Sequence, residues 1–123
     1  MRIIKLLILF ILVSINGLSQ NNENIEYQYV NIDVTTQNEL DDLDNLLNLS
    51  QEQKEQIFEI IRGVLIKNKQ VKSMKLIEVD KKDILNQNND SKIIMIMNVL
   101  NGKQKLPYEK YLASQIVSDD LKD

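Results

Sequence analysis

The chain has 123 residues, 43% of them hydrophobic and 27% charged, with a net charge of −3, a single proline and neither cysteine nor histidine. The missing cysteine removes disulfides, thiolate metal sites, cysteine nucleophiles and a lipid-attachment point, and the missing histidine removes the commonest general base and transition-metal ligand. An acidic total argues against nucleic acid as a partner.

Arg2 and Lys5 give a positive start, and residues 6–13 follow without a polar side chain, extended backwards by Ile3 and Ile4. That run is shorter than the roughly 20 apolar residues a spanning helix needs. Gly17 and Ser19 then place small residues three and one positions before a cut between Ser19 and Gln20. The pattern predicts a cleaved secretory signal over 1–19, export to the periplasm or beyond, and no transmembrane segment after processing. Without Arg2 and Lys5, 13 of the 15 basic residues remain against 18 acidic ones, a net of −5. A single exported domain of this size without disulfides draws its stability from long packed helices or from a homodimer.

From Ile25 the residues Ile25, Tyr27 and Tyr29 alternate with polar ones, and Val30, Ile32 and Val34 continue the alternation in the other phase. With no second strand to pair with, residues 20–35 read as an extended or flexible acidic arm. Every charge between positions 20 and 49 is negative, whereas Lys67, Lys69, Lys72, Lys75, Lys81 and Lys82 crowd the middle. These runs are either solvated faces or an acidic segment docking on a basic one, within a chain or across a dimer.

The helical domain is expected over 36–123. Thr36 and Glu39 have capping-box spacing, and Leu40, Leu43, Leu46 and Leu47 then form a stripe ending near Asn48. Ser50 and Gln53 repeat the box. Behind them come Ile57, Ile60, Ile61, Val64 and Leu65, continuing less regularly through Val71, Met74 and Ile77. Gly63 inside that stripe points to close packing. The helix reverses either at 68–70 or, preferably, at 79–82 with Asp80 as cap. Residues 86–90 are a polar loop or a weak, solvated helical turn, and Ser91 caps a segment that is apolar on all sides from Ile93 to Leu100 and so should be buried. Asn101 and Gln104 form a third box before Tyr108, Tyr111, Leu112, Ile116 and Val117. Pro107 either costs that helix a backbone donor or restarts it as its first residue.

Met95 and Met97 lie two apart, do not share a helix face, and read as core rather than a soft-metal pair. Asp41, Asp42 and Asp44 lack the glycine and distal glutamate of a calcium loop. No carboxylate pair is set in an apolar pocket that would raise a pKa for catalysis. The residues therefore predict no enzyme, no cofactor and no metal.

Leu49-Ser50-Gln51-Glu52-Gln53 and Leu100-Asn101-Gly102-Lys103-Gln104 both open a helix and stand about fifty residues apart. This repeated element resembles the LTxxQ pattern of the Spy and CpxP family of periplasmic proteins. Serine replaces threonine in the first copy, and asparagine and glycine depart from the pattern in the second. The resemblance implies an all-α, hairpin-like helical bundle that pairs into a curved dimer. It also implies an ATP-independent chaperone for unfolded envelope proteins, or a regulator docking on a stress-sensor protein. A structural interaction module is the third reading. Leu49, Ser50, Gln53, Leu100, Asn101 and Gln104 are then family motif and helix caps. Ile57, Ile61, Val64, Lys67, Lys72 and Lys75 are the expected client-contact surface, apolar groups supplying contact and lysines long-range attraction.

Overall fold

The computed structural model of the chain describes residues 22–122, with side-chain surroundings for 29–116. The export signal expected over 1–19 lies outside the described residues. Four helices follow one another: α1 (Asn22–Leu47), α2 (Gln51–Ser73), α3 (Glu78–Val99) and α4 (Gly102–Lys122). The described residues contain no strand. The fold is all-α, as the helical periodicity predicts, and no described helix is long and apolar enough to cross a membrane.

Helix α2 is central, packing against α1 on one side and α3 on the other, while α4 folds back onto α1. Specific pairs fix the directions. Asp33 meets Arg62 at 2.6 Å and Asp44 meets Lys54 at 3.3 Å, so α1 and α2 are antiparallel. Asn88 donates to Asn68 at 3.0 Å, and the Lys81 ammonium donates to the Lys72 carbonyl at 3.2 Å, which sets α3 antiparallel to α2. Lys92 on α3 closes the triangle by pairing with Glu39 on α1 at 2.9 Å. Asp33, Asp44 and Glu39 thus pair with Arg62, Lys54 and Lys92, and these pairs are half-exposed, where each adds at most about 1 kcal/mol.

The main core gathers Leu40, Leu43, Leu47, Leu49, the α2 isoleucines Ile57, Ile60 and Ile61, Val64, Met95, Ile96, Leu100 and Tyr108. A smaller cluster joins Ile32 to Ile66, with Tyr29 and Leu65 beside them. Met95 is buried and Met97 packs against the core, in line with their reading as core residues. Within the segment expected to be wholly buried, Met95 and Ile96 are, but Ile94 is 60% exposed, because α3 has one solvent side.

Several sequence expectations are corrected. Residues 22–35 are not an extended arm but the first half of α1. Burial runs Ile32, Thr36, Leu40, Leu43, Leu47, a helical step, with Val30 and Val34 exposed on the other side. Ile66 and Arg62 on α2 supply the partners that make the helix worth extending. Thr36 accordingly caps nothing: it is fully buried within α1, and its hydroxyl donates to the Ile32 carbonyl at 2.7 Å. Glu39 reaches Lys92 instead of turning back. Leu46 is 46% exposed, since its neighbour Leu47 occupies the inward direction.

The reversal between α2 and α3 falls at residues 74–77, between the two positions expected for it. The Met74 N–H closes α2 on the Val71 carbonyl at 3.1 Å. Asp80 does not cap but lies with Glu78 in the first turn of α3, where negative charge offsets the helix dipole. Of the two readings of residues 86–90 the solvated helical one holds, whereas Ser91 caps nothing and lies inside α3. Pro107 also stays inside α4, as its sixth residue, so the helix neither stops nor restarts there. The donor it lacks would have bonded the carbonyl of Lys103, an exposed residue where water can substitute.

Candidate functional site

The two Leu-x-x-x-Gln elements lie side by side at one end of the bundle. Each is first a helix start. Ser50 is extended (φ −71°, ψ 164°), its hydroxyl accepts from the Gln53 N–H at 3.1 Å, and its own N–H donates to Gln53 Oε1 at 3.0 Å. Asn101 does the same: Oδ1 accepts from the N–H groups of Lys103 (3.0 Å) and Gln104 (3.2 Å), and its N–H donates to Gln104 Oε1 at 3.0 Å. Both are complete capping boxes, each satisfying N–H groups that a helix start leaves without partners.

The chain entering the first copy is turned by Asn48, whose positive φ of 53° is a conformation asparagine tolerates better than most residues. Its N–H returns to the Asp44 carbonyl at 2.8 Å, and Asp44 Oδ1 takes the Leu49 N–H at 2.9 Å. Leu49 and Leu100, the first residues of the two copies, are both buried at about the same depth, 6% and 5% exposed. They anchor the two helix entries in one core.

What spacing along the chain does not reveal is that the two glutamines meet. Gln53 Nε2 donates to Gln104 Oε1 at 2.8 Å, and Gln104 Nε2 donates to Gln53 Oε1 at 3.1 Å. The second hydrogen of each amide goes to the end of a helix: Gln53 to the Val99 carbonyl, the last of α3, at 3.1 Å, and Gln104 to the Leu47 carbonyl, the last of α1, at 3.2 Å. Counting the two cap N–H groups, each amide uses both donors and accepts twice. Among the described residues no buried side-chain nitrogen or oxygen is left without a partner. One node thereby joins two helix starts to two helix ends. The six motif and cap residues expected from sequence come together here.

The node is built from neutral amides and hydroxyls, which neither transfer protons near neutral pH nor attack carbon. It holds helices in place. Close by, Tyr108 is 1% exposed, and its ring stacks on Tyr111 with centroids 6.4 Å apart. Burial, then the Glu39 charge and Tyr111, push the Tyr108 phenol well above the usual tyrosine range. Tyr111 moves the same way, by burial and then by Glu39 and Asp42. Both are kept neutral, as core groups. Among the described residues no three acidic side chains gather closely enough to hold a metal ion.

The surface expected to touch clients is divided by the fold. Ile57 and Ile61 are completely buried and Val64 is 4% exposed, so these three are core and offer no surface. They fall on the α2 face that α1 and α3 cover from both sides. Lys67 is half-buried, whereas Lys72 and Lys75 are exposed near the opposite end of the bundle from the glutamine node. Apolar contact surface lies elsewhere. A groove of about 450 Å³ beside the node is lined by Leu46, Leu106, Pro107, Lys110, Tyr111 and Ser114. Sequence reasoning missed it, although one signal was present: in Leu46-Leu47 two adjacent leucines on a helix cannot both face the core. Beyond the node, residues 72–80 are exposed without a break, among them Met74, Leu76, Ile77 and Val79.

No protein-family model, no curated protein and no solved structure matches this chain.

Proposed function

We propose that the chain acts after export as an ATP-independent, chaperone-like envelope protein that binds unfolded clients. The observation carrying this reading is the convergence of the two Leu-x-x-x-Gln elements on one reciprocal glutamine pair. Two cap sequences that merely happened to share a spacing would have no reason to meet. Their meeting supports the resemblance to the LTxxQ pattern, and through it the chaperone-like role.

The client surface cannot be the α2 stripe, because Ile57, Ile61 and Val64 are buried. The groove between α1 and α4 is the better host. It is concave, mostly apolar, and open at Leu46 (46% exposed) and Leu106 (58% exposed), with the Lys110 side chain at its rim. Apolar segments of an unfolding protein gain free energy there at about 25 cal/mol per Å² of surface removed from water.

The test is light scattering of a denatured client with and without excess protein, in the absence of nucleotide. Suppression of aggregation is expected, and it should weaken when Leu46→Ser and Leu106→Ser are combined, since both side chains are exposed and their loss leaves the core intact. Unchanged scattering with several chemically different clients would reject the chaperone reading in favour of a regulator that docks on a sensor protein.

A further inference from the structure

We propose that the α2–α3 tip is a docking site for an anionic phospholipid surface, with a headgroup phosphate in a lysine-lined hollow and the turn residues entering the bilayer interface. The tip lies at the far end of the bundle from the glutamine node and from the α1–α4 groove, separated from them by the length of α2, 23 residues or about 35 Å. The inference is independent of client binding.

Two features meet at this end. Residues 72–80 are exposed throughout, and four of them are large and apolar: Met74 (49% exposed), Leu76 (38%), Ile77 (67%) and Val79 (66%). They are concentrated in and beside the four-residue turn 74–77. A hollow of about 490 Å³ opens next to them, lined by Lys72, Lys81 and Lys82, with Leu85 and one carboxylate, Glu78. The Lys81 ammonium lies 4.0 Å from Glu78 and donates to the Lys72 carbonyl at 3.2 Å. Because α1 runs antiparallel to α2, α1 also begins at this end.

Charge selects the occupant. Residues 67–83 carry six lysines against three carboxylates, whereas the rest of the chain after position 19 has seven basic residues against fifteen acidic ones. The α1 start brings Glu23 and Glu26 to this end in sequence, so the attraction is local to the hollow and not a property of the whole face. Shape selects it too. A convex apolar turn offers an unfolded chain little area to bury, but it can enter the headgroup and acyl boundary while long lysine stems keep their ammonium groups at phosphate level. Apolar insertion and electrostatic attraction act together, as stable surface binding requires two weak signals.

The measurement is co-sedimentation of the processed chain with phosphatidylglycerol-containing vesicles and with pure phosphatidylcholine vesicles, at low and high salt. Two double variants accompany the wild type: Leu76→Ser with Ile77→Ser, and Lys72→Gln with Lys82→Gln. All four positions are exposed, and circular dichroism melts verify that the fold is kept. Binding is expected on the anionic vesicles only, reduced by high salt, and lowered about tenfold or more by each double variant. Absence of binding to anionic vesicles, equal binding to both vesicle types, or binding retained by either double variant overturns the proposal. So does a Leu76→Ser, Ile77→Ser variant that sediments normally but no longer suppresses client aggregation, because the tip would then be a protein-binding surface.

Discussion

Replacing Gln104 by alanine removes the more buried of the two glutamines of the node, and the cost can be worked from its bonds. Four are lost: two with Gln53, one to the Leu47 carbonyl and one from the Asn101 N–H. At about 1 kcal/mol net per bond the sum approaches 4 kcal/mol, with a range of roughly 0.5–1.5 for each. Asn101 is exposed, so its N–H regains a water and that share falls away. The Leu47 carbonyl has no such recourse, because Leu47 is 6% exposed and Gln104 itself only 7%. About 2–4 kcal/mol remains, a large part of the roughly 5–15 kcal/mol that holds a domain together. Gln53→Ala should cost less, about 1–3 kcal/mol, because Gln53 is half-buried and Ser50 exposed. The two losses share the reciprocal pair of bonds, so the double variant should be about 1–2 kcal/mol more stable than the singles predict by addition. Urea denaturation of the four proteins, with midpoint and slope fitted separately, completes the cycle. Additivity within about 0.5 kcal/mol would mean that the two glutamines do not interact, and the reasoning that joins the two motifs would fall.

The caps themselves should each be worth about 0.5–2 kcal/mol, read as the shift in denaturation midpoint of Ser50→Ala and Asn101→Ala, while Ser50→Thr stays close to wild type. Alanine variants whose melts overlay the wild type would show that neither side chain holds its helix start. Alkaline pH should destabilise the fold through Tyr108. Its folded phenol titrates above the ordinary value of 10, so the folded protein keeps a proton that the unfolded chain releases; stability is intact below about pH 10 and falls as pH rises beyond it. Thermal melts across that range should show the decline, and Tyr108→Phe should flatten it; an unchanged slope would place the alkaline sensitivity elsewhere.

Local chemistry was legible in the sequence. Ser50 with Gln53 and Asn101 with Gln104 mark true helix starts, and the bonds of each box are made within four consecutive residues. Leu40, Leu43 and Leu47, and the isoleucines of α2, were likewise readable as buried faces, since helical periodicity alone aligns them.

Other features depended on distant residues. Alternation from Ile25 to Val34 fits a strand as well as it fits a helix whose inward positions are Ile32 and Thr36, and Ile66 and Arg62 on α2 decide between them. Thr36 and Glu39 carry the same spacing as the true boxes, yet the helix passes through them because α1 is packed on either side of them, at Ile32 and at Leu40. Which apolar face is covered was also a tertiary matter: Ile57, Ile61 and Val64 form a stripe that either solvent or neighbours could meet, and α1 and α3 together enclose it. The sequence by itself determined that two glutamine-closed caps exist; only the antiparallel packing of the helices, which brings residues 51 positions apart within 2.8 Å, decided that the two amides satisfy each other and two helix ends besides.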